Sequence, residues 1–275
     1  MRPLPLFDPT SASPATPLSP SRRALKARAP LLKAHEVSSV RIAPSLDGVR
    51  VGQLSDIHVR TGVAPRRLAR AVELLNALAP DLVVLTGDYV CLSPKPLGAL
   101  TEALRALKRP CFATLGNHDH WCDAGKVQDA LEHAGVDVLR NEHRVLRLGK
   151  GTLHLVGVDD SVTHHDDPKA AFDGVPEGAT TLVLSHDPNS ADGLLPFQPS
   201  LILSGHTHGG QVFVKRLTPF MAKRIGIRYL HGFFELDGAI LYVNRGLGAG
   251  IPLRIGAPVE VAQLTLRSGA TVRPG

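Results

Sequence analysis

Short runs rich in Val, Leu and Ile recur along this chain, and five of them end abruptly in Asp, Asn or His. Val51-Gly52-Gln53-Leu54-Ser55 runs into Asp56-Ile57-His58, and Leu82-Val83-Val84-Leu85-Thr86 into Gly87-Asp88. Phe112-Ala113-Thr114-Leu115 meets Gly116-Asn117-His118-Asp119, Leu182-Val183-Leu184-Ser185 meets His186, and Leu201-Ile202-Leu203-Ser204 meets Gly205-His206-Thr207-His208. Continuous apolar runs of this length read as strands buried on both faces, a pattern of parallel sheets covered by helices. Strands are expected over 49–55, 81–87, 111–116, 152–158, 180–185, 201–205, 239–244 and 259–266.

Between the first three runs lie two helical stretches. Over 65–78, Leu68, Val72, Leu75 and Leu78 recur at steps of four and three with Pro65 near the start, and 97–107 repeats the pattern through Leu100, Leu104 and Leu107. Strand, helix, strand, helix, strand implies a parallel sheet. After Ala134 the helical periods largely disappear and strands follow one another through Gly- and Pro-rich turns. A second sheet follows from that change. The expected fold class is α/β, a single-domain α/β/β/α sandwich of two mixed sheets flanked by helices.

A chain of 275 residues supports one large domain, assigned here to 36–275. Residues 1–35 carry seven prolines, scattered Ser and Thr, six basic residues and one acid, and are expected to be a disordered tail. That tail holds most of the formal net charge of +6, leaving the body near +1. A neutral body with 4% aromatic residues lacks a basic stacking surface, so no nucleic-acid binding is expected. Three cysteines without CxxC spacing argue against disulfides or a thiolate zinc site. No uninterrupted run of 18 apolar residues is present, and the tail lacks a secretory h-region. The expected location is cytoplasmic, with weak peripheral contact between the basic tail and anionic lipid as the alternative.

Five polar clusters at strand ends should converge on one crevice, because ligands of α/β sheets gather beyond the carboxyl ends of strands. The residue types agree. Asp, Asn and His without thiolate suit Mn, Fe or Zn. Seven candidate ligands (Asp56, His58, Asp88, Asn117, His186, His206 and His208) exceed what one tetrahedral ion requires, so two divalent ions are expected with Asp88 as the natural bridge. Two such ions can clamp a phosphate and generate hydroxide from bound water, which implies hydrolysis of a phosphate ester.

These blocks resemble the calcineurin-like metallophosphoesterases, whose pattern is DxH, GD, GNH(D/E), H and GHxH in that order. The stretches from Gly205 to Gln211 and from Tyr242 to Gly248 are similar to the bacterial YkuE/YaeI-type subgroup, although the apolar N-terminal anchor common there is replaced by the basic tail. The resemblance implies Asp56, His58 and His208 on a first metal, Asp88 bridging, and Asn117, His186 and His206 on a second. It further implies that His118 contacts the substrate phosphate and acts as general acid, with Asp88 or Asp119 orienting it. A phosphodiesterase using metal-bound hydroxide is the implied activity. A lipid-linked nucleotide-sugar pyrophosphohydrolase, a phosphomonoesterase and a catalytically silent scaffold are the other readings.

Arg60, His120 and Arg245 are further candidates for substrate contact, since they follow motif blocks and an arginine fork matches paired phosphate oxygens. A surface-loop histidine is the plainer reading of His120, and a lid is one reading of the loop from Ser161 to Asp167. The apolar Leu217-Thr218-Pro219-Phe220-Met221 and Phe233-Phe234 are read first as core segments, with an exposed apolar groove for a lipid substrate as the other reading. The chain lacks GxxxxGK(S/T), GxSxG and HExxH, which sets aside ordinary NTPase, serine hydrolase and zincin chemistry.

Overall fold

The computed structural model describes residues 30–59, 63–214, 217–248 and 254–270. Two six-stranded sheets stack face to face. The first contains β1 (Leu31–Ser39), β2 (Arg50–Leu54), β3 (Leu82–Thr86), β4 (Cys111–Thr114), β5 (Val136–Val138) and β12 (Glu260–Ser268), in the spatial order β1-β12-β2-β3-β4-β5. The second contains β6 (Glu142–Leu148), β7 (Gly151–Gly157), β8 (Thr181–Leu184), β9 (Leu201–Ser204), β10 (Gly232–Leu236) and β11 (Ala239–Val243), in the order β10-β11-β9-β8-β7-β6. Strands β2 to β5 run parallel, as do β7, β8, β9 and β11, and antiparallel pairings of β12 with β2, β6 with β7 and β10 with β11 make both sheets mixed.

The period-2 alternation of strands decides the layers. In β3, Leu82 and Val84 face the second sheet, where they meet Leu153, Leu155, Leu182, Leu184, Leu201 and Leu203. Val83 and Leu85 face the other way, against Leu68, Val72 and Leu75 of α1 (Val63–Leu78), Leu100 and Leu104 of α2 (Leu97–Leu104), and Val127 and Leu131 of α3 (Asn117–His133). On the far side, Val156, Val183, Ile202 and Leu241 pack on short helices α4 (Pro168–Ala171) and α5 (Ala191–Leu194). This is the expected α/β/β/α sandwich.

The structure adds strands β1, β5, β6 and β10 and helix α3 to the elements expected from sequence, and the following local differences have physical causes. Strand β1 starts at Leu31, inside the segment assigned to the tail, because parallel pairing with β12 satisfies its backbone from Leu31↔Glu260 onward. The expectation for 1–29 lies outside the described residues. Helix α3 went unforeseen because its first turn carries site residues instead of an apolar stripe. Strand β6 escaped notice because its burial never exceeds intermediate and its residues, Glu142-His143-Arg144-Val145-Leu146-Arg147-Leu148, are largely polar. Among the described residues, no helix is long and apolar enough to cross a membrane.

Candidate metal centre

All five polar clusters emerge at the same end of the two sheets. β2 delivers Asp56 and His58, β3 delivers Asp88, α3 begins at Asn117 directly after β4, β8 delivers His186, and β9 delivers His206 and His208. Asp56, His58, Asp88 and His208 place ligand atoms within 4.8 Å of one another, and Asp88, His186 and His206 form a second such group. The Oδ2 atom of Asp88 stands 3.5 Å from His58 Nε2 and 3.3 Å from His186 Nε2, so a single carboxylate serves both groups. His58 Nε2 lies 3.1 Å from His208 Nε2, and His208 Nε2 lies 3.5 Å from Asp56 Oδ1. Asn117 Oδ1 stands 3.0 Å from His206 Nδ1, which in turn lies 3.3 Å from His186 Nε2.

Backbone geometry explains how strand ends converge so tightly. Asp56, His58, Asp88, His206 and His208 have φ between 45° and 68°, in the left-handed region. Such residues cost on the order of 1–3 kcal/mol each and persist only where surrounding structure enforces them. The reversal at each position turns the side chain back over the sheet ends. Gly87 shares the reversal at φ 89°, whereas Gly116 at φ −116° needs no special backbone angle. Its role is room: a Cβ there would lie 2.7 Å from Asp88 N and 2.9 Å from His186 Cδ2.

A carboxylate outside the ligand set holds the loop in place. Asp119, fully buried, accepts backbone N–H bonds from Asp88 (2.8 Å) and Gly116 (2.9 Å) on Oδ2, and from Tyr89 (2.9 Å) and Val90 (3.3 Å) on Oδ1. Burial and the neighbouring Asp88 push its pKa up to about 7. Asp119, one of the two acids expected to orient His118, instead has backbone amides of the Asp88 loop and Gly116 as its partners.

Donor chemistry fits a divalent cation. His186 donates from Nδ1 to the Thr86 carbonyl at 2.7 Å, and His58 does so to the Val90 carbonyl at 3.1 Å, so each turns an Nε2 lone pair inward. Burial lowers the pKa of His58 to about 4, with His208 and His118 adding to it, which favours the neutral ligand form. Burial, followed by the Arg254 guanidinium, lowers His208 to about 3. Burial alone would raise the Asp88 pKa, but His186, His58 and His118 hold it well below the usual carboxylate range. In return Asp88 raises His186 against its own burial. Asp88 and His186 thus favour each other's charged forms, and a divalent cation bound there would take the place of the imidazole proton.

His118, partly buried, is fixed from two sides. Its backbone N–H donates to Asp88 Oδ1 at 2.9 Å, and its Nδ1 faces the Cys91 carbonyl at 3.3 Å, leaving Nε2 for other partners. The ring meets His58 edge-on at 4.8 Å between centroids.

The three further candidates fare differently. Arg60 lies outside the described residues. His120 sits on helix α3, not in a surface loop; its side chain is 5% exposed, its Nε2 meets Asp159 Oδ1 at 2.8 Å, and its ring stacks on His165 at 4.1 Å. Asp159 is bonded in turn to Arg140 at 2.7 Å, so His120 belongs to a hydrogen-bonded cluster with Asp159 and Arg140. Arg245 lies behind the turn of His208–Gly210, with Nη1 3.8 Å from Glu260 Oε2 and Nη2 3.4 Å from His231 Nδ1, and its fork is engaged within the protein. The 161–167 loop is tied down by Thr163, which donates to Asp160 from N and Oγ1, and by Asn141, which donates to the His165 carbonyl.

Arg254 joins the site without any sequence signal. Its Nη2 approaches His208 Nδ1 at 2.9 Å and its Nε donates to the Gly248 carbonyl at 2.9 Å. No motif marks it, because it reaches the site from a separate segment across 46 residues.

Comparisons with known proteins agree with this geometry. The family model described as calcineurin-like phosphoesterase matches residues 49–210. The uncharacterized metallophosphoesterase YkuE of Bacillus subtilis strain 168 is 32% identical over 243 residues, covering 85% of this chain and 84% of that protein. Phosphodiesterase YaeI of Escherichia coli K12 is 31% identical over 219 residues, covering 78% of this chain and 80% of that one. A transmembrane protein with metallophosphoesterase domain from Danio rerio is 31% identical over 250 residues; 84% of this chain aligns with it, but the chain spans only 56% of its length. The strand-end blocks, the two sheets that bring them together and these relatives lead to one conclusion: the chain belongs to the calcineurin-like metallophosphoesterases, hydrolases of phosphoric ester bonds.

Proposed function

We propose that the protein is a dinuclear metal-dependent phosphodiesterase. Asp56, His58, Asp88 and His208 would hold one divalent ion, and Asp88, Asn117, His186 and His206 a second, with Mn, Fe or Zn suited to this mixed oxygen and nitrogen set. The observation that carries the reading is Asp88 Oδ2, set between His58 Nε2 and His186 Nε2 at 3.5 and 3.3 Å. A pair of divalent cations bound there would supply Lewis-acid activation of water and neutralise phosphate charge.

The protein's own groups do the rest. His118 has Nδ1 against the Cys91 carbonyl, so Nε2 is the atom from which a proton passes to the leaving oxygen. The hydrogen bond from its backbone N–H to Asp88 Oδ1 ties the proton donor to the bridging carboxylate, and fixes their spacing. Asp119 keeps that carboxylate in place through the backbone amides of Asp88 and Tyr89. The diester preference is supported by the similarity to phosphodiesterase YaeI.

The test is hydrolysis of an aryl phosphodiester by the purified protein with Mn²⁺, alongside an aryl monoester and a lipid-linked nucleotide-sugar pyrophosphate. Wild type should turn over the diester best. Asp88→Asn should lose bound metal and activity, and His118→Ala should keep the metal and lose about 10²–10⁴ in kcat. Equal turnover by wild type and both variants overturns the assignment.

A further inference from the structure

Helix α6 (Leu217–Arg224) is amphipathic in the wrong direction for a core element. Its inner face is small: Ala222 is buried, and the Thr218 hydroxyl donates to the Val212 carbonyl while accepting from Val214 N. The large apolar side chains point to solvent, with Leu217, Phe220, Met221 and the following Ile225 at 55%, 57%, 49% and 72% exposure. Their spacing of i, i+3, i+4 and i+8 makes one stripe. Val214 and Ile255 are also exposed and belong to the adjoining segments stitched together by the bond from Phe213 N to the Ile255 carbonyl at 2.7 Å. Contiguous exposed apolar surface of this kind marks an interaction site. Phe233 and Phe234, the other apolar pair noted in the sequence, pack instead within the two sheet cores.

Along the sequence the charge flanking the stripe has one sign, although Arg228 is paired in the structure with Asp192. From 193 to 234 the sequence contains Lys215, Arg216, Lys223, Arg224 and Arg228 and no acidic residue. Lys223 and Arg224 are exposed on α6 itself, and the Arg224 guanidinium lies over the Phe220 ring at 5.7 Å. Apolar residues flanked by cations, on a short helix that leaves them in water, fit the boundary between acyl chains and headgroups of an anionic bilayer. The stripe also adjoins the metal centre. Thr218 Cγ2 abuts Gly210 of the turn that carries His208, and Arg254, which touches His208, directly precedes Ile255.

We propose that the α6 stripe is a membrane-docking surface that seats the protein on anionic lipid with the metal centre facing the headgroup layer. Docking is a property of this surface and does not require turnover. Full-length protein is sedimented with phosphatidylcholine vesicles, with or without phosphatidylglycerol. Wild type should bind the anionic vesicles. A Phe220→Ser, Met221→Ser, Ile225→Ser variant should lose about tenfold or more of that partition, with its melting temperature unchanged because all three side chains are exposed. Lys223→Gln with Arg224→Gln should lose about fivefold per charge on anionic vesicles only. A variant with Arg22, Arg23, Lys26 and Arg28 changed to Gln separates the tail from the helix, and should retain dependence on the stripe. Absence of vesicle binding by wild type, or equal binding by the triple-serine variant, overturns the proposal. So does a wild-type dimer in sedimentation equilibrium that binds no vesicle and dissociates in that variant, which would assign the stripe to a second copy.

Discussion

Replacing Gly87 by alanine tests whether close approach at the strand ends, rather than the candidate ligand residues alone, builds the proposed metal centre. The backbone there has φ 89°, and a Cβ would lie 2.6 Å from His186 Nδ1, 2.8 Å from Gly116 N and 2.9 Å from Gly116 Cα. The left-handed backbone costs an alanine about 1–2 kcal/mol. The overlap adds about 1–3 kcal/mol, because two of the three obstructing atoms are backbone and the third is a nitrogen bonded to the Thr86 carbonyl. A total of about 2–5 kcal/mol corresponds to a fall of roughly 5–15 °C in melting temperature. Relief of the contact with His186 requires a shift of the order of 1 Å, which costs about 10²-fold in turnover. Thermal denaturation, metal analysis and aryl diester hydrolysis on one preparation read all three effects. Gly98→Ala is the control: its Cβ would meet nothing within 4 Å on helix α2, so it should be neutral or stabilise by up to about 1 kcal/mol. A Gly87→Ala protein with wild-type melting, metal content and turnover refutes the reasoning.

Removing divalent ions with a chelator should lower the melting temperature, since a ligand held at a hundred times its Kd adds about 2.7 kcal/mol; an unchanged transition in verified metal-free protein would contradict the centre. Leu203, fully buried between the sheets, should cost about 2–5 kcal/mol when changed to alanine, read by urea denaturation. Leu92, 73% exposed, should stay within about 0.5 kcal/mol under the same change. If the two variants unfold at the same urea concentration, the assignment of the inter-sheet core is wrong.

Much of this architecture was legible in the chain because burial writes a periodic signature. Eight strands and two helices could be located from apolar runs, since a strand covered on both faces must be apolar throughout. Strand β6 and the start of helix α3 broke that rule, as one is only partly covered and the other spends its first turn on Asn117, His118 and Asp119. Arg254 carried no spacing signal and became visible only through its contact with His208.

Residue chemistry and order pointed to the kind of centre: carboxylate, amide and imidazole at the ends of apolar runs suit divalent cations. Tertiary structure decided which groups meet. It seated Asp88 between two histidines, engaged His120 with Asp159 and Arg245 with Glu260 and His231, gave Asp119 the task of holding the Asp88 loop, and turned the apolar side of α6 outward. The reason is range. A strand's identity depends on its own few residues, whereas the partner of a polar side chain sits on a distant segment, 150 positions away for His58 and His208, whose separation is set only when both sheets pack.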